Sequence, residues 1–291
     1  FSFPPTLEAI GAEAFSGCTV KGDLSVPASI KSIGSSTFAT FRVEGTLTFE
    51  EGVSASVFSA LVNYGATASE TWVAHAIRIP ASLTWQNPFQ YGGARDAYEV
   101  AADSECFVAI DGVLYSKGPN NKYESKSAVL VSCPTDMSGP FAVAEGTRSV
   151  EDGALSKEID SVTIPSTADA LKSSAFRGHA LRRIDVDERN GTYASVDGIL
   201  FDKTLSKVIL CPRAHAFDGD YDLPDTVRTL ESGAFADCRN LKSIRIPEGV
   251  QTLTNNFIND CESLIAIYLP SSLRQIEMWN FWASYLPDDH S

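Results

Sequence analysis

Six cysteines and four histidines are the natural starting points for nucleophilic or metal chemistry in this 291-residue sequence. Cys211 and His215 have the spacing of a thiol beside its base. Cys133, however, closes a matching run ("AVLVSCP" against "SKVILCP") with no histidine nearby, so Cys211 reads as a structural position. A triad is defined by geometry that one spacing does not supply. His75, His179, His215 and His290 show no H-E-x-x-H or other paired spacing. Asp218, Asp220 and Asp222 alternate like the start of a calcium loop, but Leu223 and Thr229 stand where the loop needs a glycine and a bidentate glutamate. No G-x-S-x-G, phosphate-cradling glycine loop or dinucleotide fingerprint is present. The sequence therefore predicts no catalytic residue, no metal and no cofactor. Asn190-Gly191-Thr192 is a glycosylation sequon, which in a bacterial protein would simply be a turn.

Composition narrows the partners. Thirty-seven Asp and Glu against 23 Lys and Arg leave a formal charge of -14, which repels phosphate backbones and anionic lipid headgroups. Nucleic acid is not expected as a partner. No apolar run approaches the ~18 residues of a membrane span, so no membrane insertion is expected in this region. Hydrophobic residues make up 44%, ample for a buried core. The chain opens at Phe1 without an initiator Met, so a processed or partial chain is expected, and an export signal would lie outside it.

The elements that must position any site come from a repeat. "LSVPASIKSIGSSTF" (Leu24 to Phe38), "YDLPDTVRTLESGAF" (Tyr221 to Phe235) and "IRIPEGVQTLTNNFI" (Ile244 to Ile258) share two apolar residues flanking a variable one, then Pro, then apolar residues three, six and eleven positions later. The Pro slot falls at Pro4, Pro27, Glu50, Pro80, Ala144, Pro165, Pro224, Pro247 and Pro270. Eleven residues after it stand Phe15, Phe38, Leu61, Tyr91, Leu155, Phe176, Phe235, Ile258 and Phe281, and the spacing through Phe15, Phe38 and Leu61 is 23. Apolar pairs such as Leu24 with Val26, Ile79 with Ile77, and Ile244 with Ile246 precede the Pro slot, the alternation of a short strand buried on one face. Proline ends that strand because it lacks the N–H a ladder needs. The spacing beyond it suits a turn and a helical or 3₁₀ return. One such unit cannot bury its own apolar face, so the units must stack as a right-handed solenoid with its strands in a parallel sheet.

Two stretches depart from the period. "FVAIDGVLY" (Phe107 to Tyr115) and "YASVDGILF" (Tyr193 to Phe201) lie 86 residues apart, each with Asp-Gly between alternating apolar residues, a strong hairpin signal. Each is preceded by one more strand slot, at Tyr98 with Val100 and at Ile184 with Val186. The expected organisation is a single solenoid over 1–286 of about eleven coils, with hairpin insertions near 103–134 and 190–212 and a tail or following segment at 287–291. "MWNFW" (Met278 to Trp282) either caps the stack or leads into a continuation.

"LEAIGAEAFSGC", "LKSIRIPEGVQTL" and "VDGILFDK" followed by "ILCP" resemble the BspA-type leucine-rich repeat family, with its 23-residue repeat. The resemblance covers nearly the whole chain. It implies a leucine-rich-repeat solenoid, display on a cell surface or secretion, and adhesion to a protein or glycan. No shared ligand-binding motif comes with it. Glu50 and Ala144 depart from the pattern in the Pro slot and put the local turn in question.

Five of the cysteines sit at template positions: Cys18, Cys238 and Cys261 three residues after the +11 slot, and Cys133 and Cys211 at the hairpin ends. They read as small buried hydrophobes with free thiols. Cys238 with Cys261, in neighbouring coils, is the best disulfide candidate.

What remains is the surface that stacking creates. The residue between the two buried strand positions points outward, giving a ladder of Ser2, Ser25, Thr48, Arg78, Glu99, Ala142, Thr163, Asp185, Asp222, Arg245 and Tyr268. Most exposed polar positions carry no function. Arg and Tyr are nevertheless enriched at binding hot spots, so Arg78, Glu99, Thr163, Asp185, Asp222, Arg245 and Tyr268 are the candidate ligand-binding residues. The expected function is a non-enzymatic binding or adhesion module. The alternatives are a scaffold or spacer in a larger surface protein and, more remotely, a solenoid enzyme acting on acidic polysaccharide, for which Glu99, Asp185 and Asp222 lack partners in sequence.

Overall fold

A computed structural model describes residues 1–64, 72–84, 93–117, 128–176, 178, 180–278 and 280. Tyr91, His179, Phe281, His290 and the stretch Tyr285 to Asp289 lie outside the described residues, as do Trp279 and Trp282 of the segment that either caps the stack or leads into a continuation. The fold is a parallel β-solenoid of about eleven turns. Its contacts divide the chain into two units: Phe1–Met137 with Thr147–Ser156, and Ser138–Gly146 with Lys157–Ser291.

In the first unit, the strands Leu24–Val26, Arg42–Phe49, Trp72–Ile79 and Gly93–Val100 pair in parallel, each with the next. Register brings the expected inward positions together: Leu24 opposite Leu47, Leu47 opposite Ile77, and Ile77 opposite Tyr98. All four are buried. In the second unit the same rule places Val162 beside Ile184, and Ile244 between Tyr221 and Ile267. The first unit thus has a continuous core built from the inward faces of successive strands, as stacking requires, and the second has one over its coils from Ile199 to Leu264. The outermost rungs differ from the template. Phe1 and Leu269, expected to be buried, are exposed.

The return is rarely helical. Among the described residues, only the helix Ala55–Tyr64 and the 3₁₀ turn Ser173–Phe176 follow that expectation. Elsewhere a second strand of two residues or so forms five and six positions after the Pro slot, as in Ala9–Ile10 with Ser32–Ile33 and Thr252–Leu253 with Gln275–Ile276. The turn between the two strands explains the spacing. The N–H at slot +3 donates to the carbonyl of the Pro slot, at Leu7, Ile30, Leu83, Ala168, Val227, Val250 and Leu273. Glu50 keeps this turn, since Val53 N–H donates to its carbonyl at 3.2 Å. Its own N–H, which proline would lack, donates to Val26 at 3.0 Å, so the departure in the Pro slot adds a rung and leaves the turn intact.

Three coils carry Glu-Gly directly after the Pro slot, and each clamps the coil that follows. Glu51 accepts from the N–H groups of Ala81 and Ser82 at 2.7 and 2.9 Å, while Gly52 N–H donates to the Ser82 hydroxyl at 2.7 Å. Glu248 and Gly249 do the same to Ser271 and Ser272, while Glu145 accepts from the Ser166 N–H at 3.4 Å and Gly146 N–H donates to the Thr167 hydroxyl at 2.9 Å. The glycines have φ of 87°, 99° and 94°, a backbone that side chains with a Cβ disfavour.

These clamps predict acid sensitivity. The amides of Ala81 and Ser271 hold the Glu51 and Glu248 carboxyls below their usual value of 4.5, and Arg189 holds Asp187 at about 2. A folded pKa below the unfolded one contributes stability above the unfolded value and loses it as pH falls through the folded one. His215 adds to this trend, because burial pushes its ring below the usual 6.5 and so disfavours protonation in the fold. The melting temperature should hold flat near pH 7–8, start to decline below about 6.5 and drop more steeply below about 4.5. A melting temperature that rises on acidification through this range would contradict the assignment.

Both predicted hairpins form. Phe107–Ile110 pairs antiparallel with Val113–Ser116, and Tyr193–Val196 with Ile199–Asp202. Their two-residue turns, Asp111-Gly112 and Asp197-Gly198, have positive φ at both positions, the geometry that matches strand twist. The 86-residue offset holds in the hydrogen bonds. Tyr98 N–H donates to Gly112 and Ile184 N–H to Gly198; Lys117 N–H donates to Cys106 and Lys203 N–H to Thr192.

Candidate functional site

The outward ladder forms within each unit. In the first, Ser25, Thr48, Arg78 and Glu99 are consecutive register partners. In the second, Ala142, Thr163 and Asp185 form one row, and Asp222, Arg245 and Tyr268 another. All seven candidate residues are exposed or half-buried.

Their charges are largely answered by neighbours. Arg78 turns both Nε and Nη2 onto one oxygen of Glu99, at 2.8 and 2.6 Å. Asp185 takes Arg183 Nε on both oxygens, at 2.8 and 2.7 Å. Pairs this exposed contribute at most about 1 kcal/mol each, so their main effect is to hold the side chains in place. Beside Arg78 and Glu99 lies a cleft of about 240 Å³, floored by Phe49, Pro80, Val100 and Ala101. The Asp222 row is different. Arg245 Nε reaches Asp222 at 3.2 Å, and its guanidinium carbon lies 4.3 Å from the centre of the Tyr268 ring. Arg245 is thereby held from both sides, by a charge and by a π face.

The remaining chemical candidates resolve as structure. Cys211 is fully buried with its thiol toward the Pro212 carbonyl at 3.6 Å, while His215 Nδ1–H donates to the Arg182 carbonyl at 3.1 Å. No hydrogen bond joins the two. Asp220 accepts from the Ser243 hydroxyl and Asp222 faces Arg245, so the alternating aspartates serve neighbouring coils. The sequon is closed. Asn190 is fully buried, and all its side-chain bonding is internal: it donates to the carbonyls of Pro165 and Ala168 and accepts from the amides of Thr192 and Tyr193, each at 2.8 Å. Sequence reading missed this role, although Asn190 occupies the slot that other coils fill with Ile30 or Val227.

All six cysteines are free, and five are buried. Cys18 corrects the template reading: it is exposed, unlike Cys238 and Cys261 at the equivalent slot. Cys238 and Cys261 are not bonded to each other; their thiols face the carbonyls of Cys211 and Phe235, at 3.9 and 3.1 Å. Burial pushes Cys133 up to about 12 and raises Cys238 and Cys261 as well, which removes the reactive thiolate. Thiol titration of the native protein should show one fast group, Cys18, with all six appearing only after denaturation. Several fast thiols in the native state would contradict this burial.

Parallel strands stacked at a 23-residue period define a leucine-rich-repeat solenoid. The family described as "BspA type Leucine rich repeat region" matches residues 1–62 and 219–288 in six copies, and these segments are BspA-type leucine-rich repeats. Among solved structures, the chain is similar to a leucine-rich repeat protein from Eubacterium ventriosum, with 21% identity, TM-score 0.54, and coverage of 97% of this chain and 81% of that one. It is also similar to a leucine rich cell surface protein from Faecalibacterium prausnitzii, with 21% identity, TM-score 0.51, and coverage of 93% and 78%. Against the pneumococcal vaccine antigen PcpA the identity is 18% and the TM-score 0.44, over 94% of this chain, which spans 60% of that protein's length. No curated protein matches the sequence. Among the described residues no helix is long and apolar enough to cross a membrane.

Proposed function

We propose that this chain is a non-enzymatic binding and adhesion module of a cell-surface or secreted protein, engaging a protein or glycan through the outward ladder. The observation that carries the reading is the Asp222–Arg245–Tyr268 row, in which an exposed arginine is held between a carboxylate and an exposed tyrosine. Arg and Tyr are residue types that dominate binding energy, and a side chain already held in place loses less entropy on binding. The surface description of the Faecalibacterium prausnitzii neighbour agrees with display outside the cell. The first unit adds the cleft beside Arg78 and Glu99, whose apolar floor and polar rim suit a small side chain or sugar ring.

Screening against a glycan array and a panel of extracellular matrix proteins should yield a ligand. Arg245→Ala and Tyr268→Ala should each weaken its capture ~10-fold or more while leaving the melting temperature within about 1 °C, since both side chains are exposed. Unchanged affinity in both variants would remove the ladder from the site. A chain that captures nothing favours the spacer reading.

A further inference from the structure

The two ladder arginines use their guanidinium groups differently. Arg78 presents its side edge to Glu99, spending both Nε and Nη2. Arg245 gives only Nε to Asp222, and neither of its terminal nitrogens donates a hydrogen bond among the described residues. The ring of Tyr268 lies on the other side of the group, 4.3 Å from its carbon. The free end of Arg245 is therefore a pair of parallel N–H donors, fixed in position and open to solvent. That fork matches the two oxygens of a carboxylate, in a way that a lysine ammonium cannot reproduce.

The neighbours narrow the ligand further. Asp222 accepts Arg245 on Oδ1 alone and is largely exposed, which leaves Oδ2 open one strand away, about 4.8 Å along the sheet. An isolated carboxylate would be repelled there. A ligand that carries hydroxyl donors beside its carboxylate would instead satisfy both groups, its anion on Arg245 and a hydroxyl on Asp222. Tyr268, also exposed, offers its phenol as a further partner for a hydroxyl. A uronic acid places a carboxylate and ring hydroxyls on one small rigid unit.

From this, resting on the ladder as the binding face, we propose that the Asp222–Arg245–Tyr268 row binds a uronic acid residue of an acidic glycan, with the carboxylate on the terminal nitrogens of Arg245. The recognition is short-ranged. With a formal charge of -14, the protein repels an anionic polymer at a distance, so moderate salt should speed association by screening that repulsion.

The probe is an oligogalacturonate titrated calorimetrically into the intact chain, beside its methyl ester, which keeps every ring hydroxyl and loses the charge. The acid should bind at least ~10-fold more tightly than the ester, as expected for charge-assisted bonds. Arg245→Lys should lose that preference while keeping the same net charge, and Asp222→Asn should weaken the ester more than the acid, because it removes a charged hydroxyl acceptor for both but relieves the repulsion of the carboxylate. Melting curves of each variant verify that it is folded. Equal binding of acid and ester, or full preference in Arg245→Lys, overturns the proposal. If a protein or neutral glycan instead depends on Arg245 and Tyr268 while the oligogalacturonate does not bind, the acidic-sugar assignment fails and the ladder stands; if no ligand depends on either residue, both fail.

Discussion

Asn190→Ala will destabilise the second unit by about 3 kcal/mol or more in urea unfolding, because it removes four internal hydrogen bonds and buries the groups left behind. The amide sits three residues after Asp187, which holds the Pro slot behind the strand Arg183–Val186, and the Asn190 N–H donates to the Asp187 carbonyl as in the turns of other coils. From there it reaches back to the turn carbonyls of Pro165 and Ala168 in the preceding coil, and forward to the amides that open the second hairpin. Two variants separate these halves. Asn190→Asp retains the acceptor but sets a carboxylate against the two carbonyls, so it should be worse at pH 7 than near pH 4, where the group is protonated. Asn190→Ser should recover part of the loss, because Ser104 holds the equivalent place in the first hairpin and its hydroxyl accepts from Phe107 N–H at 3.2 Å. A cost below 1 kcal/mol for the alanine variant would show that water replaces the amide and that the site is not closed. The same burial predicts that mass spectrometry of the folded protein will find no glycan on Asn190.

Phe235→Ala should cost about 3–5 kcal/mol, the range for emptying a large aromatic site in a packed core. Phe235 is fully buried, with its ring 5.6 Å from that of Phe257 and 6.1 Å from that of Tyr221. Phe257 belongs to the following coil and Tyr221 to the same one, so the loss falls both within the coil and on its contact with the next. The double variant with Phe257→Ala should cost less than the sum of the two, since the cavities merge and the coils can close on them. Strict additivity, or a cost under 1 kcal/mol for Phe235→Ala, would mean that the rings do not form one packed row.

The repeat made much of this legible. Leu24 and Val26, Ile77 and Ile79, and Ile244 and Ile246 all lie buried on inward strand faces, as their alternation requires. The Asp-Gly hairpins were equally readable, because only a few residue types accept positive φ at both turn positions. Among the described residues the helical return expected from the sequence forms only at Ala55–Tyr64 and, as a 3₁₀ turn, at Ser173–Phe176, because apolar residues at slots +3 and +6 fit a turn and a second short strand as well as one face of a helix. The Glu-Gly clamps were visible as a recurrence at Glu51, Glu145 and Glu248, but their meaning depends on a Ser or Thr in the following coil, and a scan within one repeat does not connect them.

Within a coil, the order of residue types determined the strand, the turn and the side each residue faces, because these follow from backbone geometry over a few neighbours. Which polar groups meet between coils was settled only by the folded stack. Asn190 reads as an exposed sequon until the carbonyls of Pro165 and Ala168 are brought to it, and Arg245 reads as one more surface charge until Asp222 and Tyr268 close on its two sides. Those contacts span 22 to 25 residues, and their distances depend on where one coil comes to rest on the next.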